Sequence, residues 1–440
     1  MEQIKKRSFL KLSPYMLVSF SAWISRVVTA FCSILSVRFL MDELGVEGFA
    51  AYSLIIGLIG WYGLLDLGTP TSAQNYISES RAKNVPYQIY VTALFIVMGS
   101  IAIVAVIALF FIGPLMAHVL LIKFTFLSDI QKNQSFISLG ICSIFLTMGA
   151  VVYRVWYAEQ IGYFVHLLQS VSMVISVAII YWVMHSNVSD KYVWAIIGSQ
   201  APMAVLPVVA WINCVQRRWE FDYVLIKQAI KLIFLRAWRL WFFNIAAVVV
   251  LQLDLIVLSQ FVDAKQLAMY ALCSKLFLTV GLLYGVVLQA YWPVCTELCA
   301  KNKWDEIYKF IRRYLISSFA LIIVATLVII ALREEIVMFF SPNQPFELPI
   351  WLIVIFGVSY LIRAWTDIFA VILQSMSQMN MLLVMAVAQA VFNVSIQLML
   401  VPIIGVYGAL IGVTLSFLLT VSWGLPRKVI FFSKQGVKVQ

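Results

Sequence analysis

Two arginines stand in the middle of long apolar stretches of this chain. Arg26 lies within residues 14–38, and Arg363 lies within residues 349–373. A charged side chain at the centre of a bilayer costs about 2.5 to 3.5 kcal/mol on insertion scales, so it is kept for a function or for a partner. The planar guanidinium matches the oxygens of a phosphate better than a lysine does. The pair therefore predicts a site for phosphate or pyrophosphate rather than for a cationic drug.

Small polar residues accompany Arg26 at helical spacing. They are Ser25, Thr29 and Ser33, a pattern typical of a helix face that lines a cavity. Arg26 and Arg363 lie roughly 12 and 14 residues from the outer ends of their stretches, which places them at nearly one depth. We expect them to bracket an anion across a shared cavity. The alternative for Arg363 is an ion pair with Asp367, four residues further along the same helix.

A second pair of opposite charges is Asp254 and Lys275. Each lies eight residues from the outer end of its own apolar stretch, and the two stretches follow one another in the chain. A hairpin of two helices would bring them to one level. We interpret them as a buried structural ion pair.

Three amide side chains, Gln389, Asn393 and Gln397, recur every four residues and predict a polar stripe along one helix. Such a stripe either lines a cavity that accepts sugars or joins neighbouring helices by hydrogen bonds. Both alternatives stay open from the sequence.

Asp66 stands near the end of a predicted helix, in the segment Tyr-Gly-Leu-Leu-Asp-Leu-Gly. Together with Asp367 it is a candidate to carry a coupling proton or cation. The alternative is a carboxylate that is satisfied by the local backbone or by Arg81.

The elements that must position these residues are transmembrane helices. Hydrophobic residues make up 63% of the 440 residues, charged residues make up 12%, and the mean hydropathy is +0.96. Windows of about 20 apolar residues suit a membrane span, and they predict twelve spans between residues 14 and 425, the first two at 14–38 and 46–69.

The six cysteines and three histidines are scattered and predict no metal site. No glycine-rich phosphate loop is present, so we expect no nucleotide or other cofactor.

Lysine and arginine are distributed unevenly between the predicted loops. Of the 31, 22 fall on the side that includes both termini, six fall on the other side, and three lie within spans. The positive-inside rule then places both termini in the cytoplasm. The net charge of +11 is explained by contact with the headgroups of bilayer lipids, without nucleic acid.

The chain also repeats itself weakly at an offset of 218 residues. Eleven of the 35 positions from 50 to 84 are identical to their counterparts, including Ala82-Lys83-Asn84 with Ala300-Lys301-Asn302. We predict an all-α membrane protein of two six-helix halves, related by a pseudo-two-fold axis along the membrane normal. The predicted parts are a first half at 1–215, an amphipathic interfacial linker at 216–239, a second half at 240–425 and a cytoplasmic tail at 426–440. Gly281-x-x-x-Gly285 and Gly408-x-x-x-Gly412 are signals of close helix packing.

The segment 44–84 resembles the Wzx-type polysaccharide flippases of the multidrug/oligosaccharidyl-lipid/polysaccharide exporter superfamily. The matching positions are Leu44, Gly45, Gly48, Phe49, Tyr52, Asp66, Leu67, Gly68, Ser78, Glu79, Arg81 and Ala82. The resemblance implies a flippase of the bacterial inner membrane that moves an undecaprenyl-pyrophosphate-linked oligosaccharide, such as an O-antigen unit, by alternating access. It also implies a polysaccharide polymerase and a chain-length regulator as partners, and coupling to protons or sodium.

Two other functions compete with this interpretation. A cation-coupled multidrug exporter of the same superfamily would require acidic residues in the cavity, whereas the two mid-span charges expected to face the cavity, Arg26 and Arg363, are basic. A membrane polysaccharide polymerase would require a large outer domain, and the longest predicted outer loops are short, at 113–135 and 333–348. We therefore expect a transporter and not an enzyme.

Overall fold

The chain folds into helices throughout the residues that are described in a computed structural model, namely 14–344, 346–376 and 378–435. No strand occurs in these ranges. In chain order the helices are α1 Pro14–Gly57, α2 Ile59–Gly63, α3 Thr69–Ala82, α4 Gln88–Leu120, α5 Asp129–Gly149, α6 Val151–Ala158, α7 Tyr163–His185, α8 Lys191–Gln216, α9 Tyr223–Phe261, α10 Ala264–Ala300, α11 Trp304–Ala331, α12 Arg333–Phe340, α13 Ile350–Ser375, α14 Met379–Ile404, α15 Val406–Leu419 and α16 Val421–Gln435, with a 3-10 turn at Leu64–Asp66 between α2 and α3.

Eleven helical stretches in this part of the chain are long and apolar enough to cross a membrane. Large apolar side chains cover their outer faces, including Phe111 at 81% exposure and Ile403 at 77%. Water would disfavour such a surface, whereas lipid tails accept it. A helix also satisfies its own backbone hydrogen bonds, which hydrocarbon requires. The protein therefore spans a membrane several times.

The first two predicted spans differ from the structure. Helix α1 runs through Gly45, where the backbone kinks with a φ of 68°, and the stretch Phe20–Asp66 forms one unit of 47 residues. The other ten predicted spans each coincide with one membrane-spanning stretch. Apolar length alone therefore located the helices, but it did not show how the first two are joined.

The helices pack as two groups with a limited contact between them. In the first group α1 packs on α7, and α5 packs on α4 and α8. In the second group α14 packs on α9 and α15, and α13 packs on α10 and α11. The groups meet where α1 contacts α10 and where α4 contacts α9.

The predicted linker at 216–239 is not a separate helix. Residues 217–222 lie outside the helices, and α9 then continues from Tyr223 without interruption to Phe261. Its first turns bury Ile226, Ala229, Ile233 and Ala237, which recur on one face and pack against α3. The predicted tail differs as well, because α16 runs from Val421 to Gln435 across the boundary at 425. Helix α12 likewise occupies part of the predicted outer loop 333–348.

The chain bends sharply between the 3-10 turn and α3. Leu67 and Gly68 adopt left-handed conformations with φ of 50° and 71°. A Cβ atom at Gly68 would lie 2.6 Å from the carbonyl oxygen of Ala237 on α9, so only glycine fits there. Asp66 Oδ1 accepts a hydrogen bond from the Gly68 amide at 2.7 Å, and Thr69 Oγ1 donates to the Asp66 carbonyl at 2.8 Å. The bend is therefore stabilised locally and by contact with α9.

Helix packing at Gly408 can be tested with a matched glycine. A Cβ atom at Gly408 would lie 2.6 Å from the backbone of Leu400 and Val401 on α14, whereas a Cβ atom at Gly285 would have nothing within 4 Å. We expect Gly408→Ala to lower the free energy of unfolding by about 1 to 3 kcal/mol, because backbone cannot move aside. Gly285→Ala should leave it unchanged or slightly raised. Thermal unfolding in detergent measures both, and equal melting temperatures for the two variants would contradict the prediction.

Candidate functional site

Nine polar side chains line a cavity of about 440 Å³, here called the Arg26 cavity. Arg26 enters it from α1, and Ser25 and Thr29 stand beside it as the helical spacing predicted. Ser33, the third residue of the predicted stripe, does not line this cavity. The other lining residues are Leu146, Tyr153, Tyr157, His166, Gln169, Ser172, Met203, Leu282 and Gln289.

Arg26 is held by a residue far away in the sequence. Its Nη2 donates to Oε1 of Gln289 on α10 at 2.7 Å, across the contact between α1 and α10. Among the described residues that line the cavity, none carries a carboxylate. The guanidinium therefore makes the cavity suitable for an anion, surrounded by tyrosine, glutamine and serine groups that can bind hydroxyls.

Sequence reasoning missed six of these polar lining residues: Tyr153, Tyr157, His166, Gln169, Ser172 and Gln289. One signal was available on α7, because His166, Gln169 and Ser172 recur at intervals of three residues and share a face. The signal for Gln289 is absent from local spacing, since its partner lies 263 positions away.

Arg363 lies in a different cavity, of about 160 Å³, that is lined by α9, α13, α14, α15 and α16. Its Nε is 3.8 Å from Oδ2 of Asp367, so the two form the i,i+4 ion pair that was the stated alternative. The guanidinium also lies over the ring of Tyr360, 5.7 Å from its centroid. The structure does not bring Arg26 and Arg363 into one shared cavity, because equal depth along two helices does not determine the direction in which each helix faces.

A third cavity, here called the loop cavity, lies at the ends of α3 and α6 and has a volume of about 610 Å³. Arg81 lines it and donates to the carbonyl oxygen of Ala158. Asn84 and Gln160 line it from turns in the left-handed conformation. Tyr157 lines both this cavity and the Arg26 cavity, so one side chain stands between them.

A hydrogen-bonded cluster fixes the chain beside the loop cavity. Arg218 binds both carboxylate oxygens of Glu159 at 2.8 Å, and Tyr87 Oη donates to Glu159 Oε1 at 2.6 Å. Burial raises the pKa of Tyr87, and its hydrogen bond with Glu159 raises it further. The bidentate geometry holds the ends of α6 and α8 together.

The opposite ends of the two helix groups touch near Gly45. Asn343 Nδ2 donates to Asp42 Oδ1 at 2.9 Å, and Arg38 lies over the ring of Phe339 at 4.3 Å. The amide of Val46, beside the kink, donates to Oε1 of Gln344 at 3.3 Å. The two groups are therefore closed against each other at this end.

The sequence of this chain matches two families of known proteins. Residues 17–299 match the family described as "Polysaccharide biosynthesis protein", and residues 240–399 match the family described as MatE. The first match covers more than half of the chain. The chain belongs to the polysaccharide biosynthesis protein family.

Curated relatives align with this family member over nearly its whole length. A proposed O-antigen transporter of Salmonella typhi is 31% identical over 98% of this chain and 100% of its own length. A proposed O-antigen export protein of Yersinia pseudotuberculosis is 30% identical over 95% of this chain and 96% of its own. The resemblance predicted from residues 44–84 is confirmed.

Solved structures of other proteins share the fold of this chain. The lipid II flippase MurJ in an inward closed conformation matches with a TM-score of 0.68 at 15% identity, over 94% of this chain and 87% of its own. An inward-facing multidrug resistance MATE family transporter of the MOP superfamily matches with a TM-score of 0.71 at 10% identity, over 95% and 100%. At these identities the likeness concerns the fold alone.

The three amides of α14 in this family member have different roles. Asn393 donates to the carbonyl oxygens of Val249 and Val250 on α9 at 3.3 and 3.4 Å, and Gln397 donates to Asn393 Oδ1 at 2.9 Å. These two join helices. Gln389, by contrast, lines the Arg363 cavity, and its buried Nε2 has no hydrogen-bond partner in the described structure.

Asp254 and Lys275 do not form the predicted ion pair. Asp254 instead accepts hydrogen bonds from Gln397 Nε2 at 2.8 Å and from the hydroxyl of Tyr270. The prediction was wrong because a shared level on a hairpin does not make two side chains face each other. The carboxylate of Asp254 is bound by Tyr270, one turn of α10 before Lys275, and by Gln397 on α14.

Asp66 is satisfied by the local backbone, as one of the two alternatives proposed. Its Oδ1 accepts from Gly68, while Arg81 donates elsewhere, to Ala158. Among the described residues, no group of three or more His, Cys, Asp or Glu could hold a metal ion.

The division of roles on α14 is testable by comparing two glutamines of one helix. We expect Gln397→Ala to lower the melting temperature by several degrees, because it leaves buried Asp254 and Asn393 short of a donor, at a cost of about 1 to 3 kcal/mol. Gln389→Ala should melt like the unmodified protein, since its Nε2 has no partner to lose. Unfolding followed by intrinsic fluorescence in detergent compares the two, and a loss in Gln389→Ala that matched the loss in Gln397→Ala would refute the distinction.

Proposed function

We propose that this protein is a flippase that moves an undecaprenyl-pyrophosphate-linked oligosaccharide, an O-antigen unit or a related surface polysaccharide unit, from the cytoplasmic to the periplasmic leaflet of the bacterial inner membrane. The observation that carries the proposal is the alignment with proposed O-antigen transporters over at least 95% of the chain. The fold is shared with the lipid II flippase MurJ, so a fold of this kind is compatible with flipping.

In this proposal the Arg26 cavity receives the headgroup of the lipid. The Arg26 guanidinium binds pyrophosphate oxygens, for which charge-assisted hydrogen bonds are strong. Ser25 and Thr29 stand beside it, and Tyr157 and Gln169 offer hydroxyl and amide groups for sugar hydroxyls. Arg363 and Gln389 form a second polar surface in the other group of helices, which the cargo meets at another stage of the cycle.

We propose twelve membrane crossings in two halves, 1–215 and 240–425, with 216–239 connecting them. The stretch Phe20–Asp66 has 47 residues, about 70 Å as a straight helix, which is more than twice the ~30 Å of hydrocarbon. The kink at Gly45 divides it into two crossings of ordinary length. The repeat is supported by Asn84 and Asn302, which lie two residues after the ends of α3 and α10 and adopt the same left-handed conformation, with φ of 54° and 53°.

The loop charges support an orientation with both termini in the cytoplasm. The contacts between Asp42 and Asn343 and between Val46 and Gln344 then close the periplasmic end. The loop cavity lies on the cytoplasmic side, next to the Arg26 cavity. The two halves rock about the headgroup, so that access alternates between the leaflets.

Asp367 and Asp66 are the carboxylates that we propose for coupling to protons or sodium. A polysaccharide polymerase and a chain-length regulator would take over the exported unit.

A second candidate function, a cation-coupled multidrug exporter, draws support from the MatE match at 240–399. The Arg26 cavity favours the flippase, because its lining residues include an arginine and no carboxylate. A polymerase is disfavoured by the same relatives, which are named for transport and export.

Deletion of the gene tests the proposed function directly. Without a flippase, assembled units cannot reach the periplasm, so we expect surface polysaccharide to be lost and lipid-linked units to accumulate in the cell. Gel analysis of the surface polymer and mass spectrometry of extracted lipids measure both effects. Restoration by a plasmid copy is the control, and a deletion strain with normal surface polymer would exclude the proposal.

Substitution of the arginines tests the headgroup site. We expect Arg26→Ala to reduce surface polymer at least tenfold at normal protein levels, whereas Arg26→Lys retains part of the activity because the charge remains. Arg363→Ala and Arg363→Lys should follow the same order. Immunoblotting of membranes provides the control for protein level. Full complementation by both alanine variants would remove these residues from the site.

A further inference from the structure

The hydrogen bond between Arg26 and Gln289 joins the two halves at the headgroup site. Arg26 belongs to α1 and Gln289 belongs to α10, and their side chains meet at 2.7 Å in the wall of the Arg26 cavity. Leu282, seven residues earlier on α10, lines the same wall. This face of the second half is therefore tied to the cavity of the first half through the guanidinium.

We propose that Gln289 is a positioning residue that occupies the place of a phosphate oxygen on Arg26 and keeps the two halves together until the cargo displaces it. The inference rests on the proposed function, in which Arg26 receives the pyrophosphate. A side-chain amide oxygen and a phosphate oxygen both accept from a guanidinium, but only the phosphate carries a charge. An arriving headgroup therefore replaces the amide with a stronger acceptor.

The arrangement of Arg26 makes such a replacement feasible. The bond to Gln289 uses one of its five N–H donors, and it is the one hydrogen bond of this side chain within the described part of the chain. Both residues line the cavity, so an anion that enters the cavity can reach the guanidinium. The described lining residues include no carboxylate that would compete for the charge of Arg26.

The consequence is a link between occupancy and movement. While Gln289 holds Arg26, α1 and α10 share a hydrogen bond that any separation of the halves at this level must break. Once the headgroup binds Arg26, the hydrogen bond to Gln289 is already broken. Separation of the halves then no longer has to break it. The empty transporter is thus held closed more firmly than the loaded one, since a ligand shifts such an equilibrium only by favouring one state.

Binding of inorganic pyrophosphate to the purified full-length protein in detergent tests the proposal by calorimetry. Removing the internal acceptor should tighten binding about threefold to tenfold in Gln289→Ala. The same result is expected in Gln289→Met, which keeps the side-chain length without the amide and serves if the alanine variant fails to fold. Gln289→Glu should weaken binding at least tenfold, because its carboxylate pairs with Arg26.

Two controls identify the source of the effect. Gln169→Ala removes an amide from the same cavity that is not hydrogen bonded to Arg26, so it should not tighten binding. Arg26→Ala should abolish binding. Unchanged or weaker affinity in both Gln289→Ala and Gln289→Met would overturn the proposal, and so would the absence of pyrophosphate binding in the unmodified protein and in both variants.

A different experiment would refute the proposed flippase function. Normal surface polymer in the deletion strain would refute the lipid-linked cargo, while the competition between Gln289 and pyrophosphate would still be measured in the purified protein. A deletion strain that lacks polymer, together with unchanged affinity in the Gln289 variants, would overturn the displacement alone.

Discussion

Hydrocarbon offers no water to a backbone group that has left helical geometry, and this requirement determines how the chain can bend within the membrane. Each sharp bend of the first spans is matched by a side chain that takes the place of water. Beside Gly45 the acceptor is Gln344, which comes from the other group of helices. At Gly68 the acceptor is Asp66, and Trp241 of α9 donates to the backbone just before the bend. The irregular points of the fold are therefore also points where separate parts of the chain are joined.

The same requirement separates the polar side chains of the interior into two kinds. Asn393 and Gln397 are fully buried and use their amides to join α14 to α9, through backbone carbonyls and through Asp254. Arg26 and Gln389 instead line cavities, where part of their hydrogen-bonding capacity stays available. Residues of the first kind hold helices in one arrangement, and residues of the second kind can exchange a protein partner for a ligand.

Sequence reasoning succeeded where a property depends on neighbouring residues. The apolar length of the last ten predicted spans, the positions of Ser25 and Thr29 beside Arg26, and the family resemblance in residues 44–84 are all of this kind. It failed where a property depends on the rotation of one helix against another. The expected pair of Asp254 with Lys275 and the expected meeting of Arg26 with Arg363 both assumed that equal depth implies contact. Depth follows from counting residues, whereas facing follows from packing between segments far apart in the chain, so neither partner could be read from spacing.

The bend at Gly68 has no equivalent at the matching position of the weak sequence repeat. At the offset of 218 residues Gly68 corresponds to Val286, which lies inside the uninterrupted helix α10. A β-branched residue strongly disfavours the left-handed conformation, so the counterpart segment has to run straight. Glycine in one segment and valine in the other are therefore compatible with different shapes. The first segment can fold back against α9, whereas the second continues as part of one uninterrupted helix.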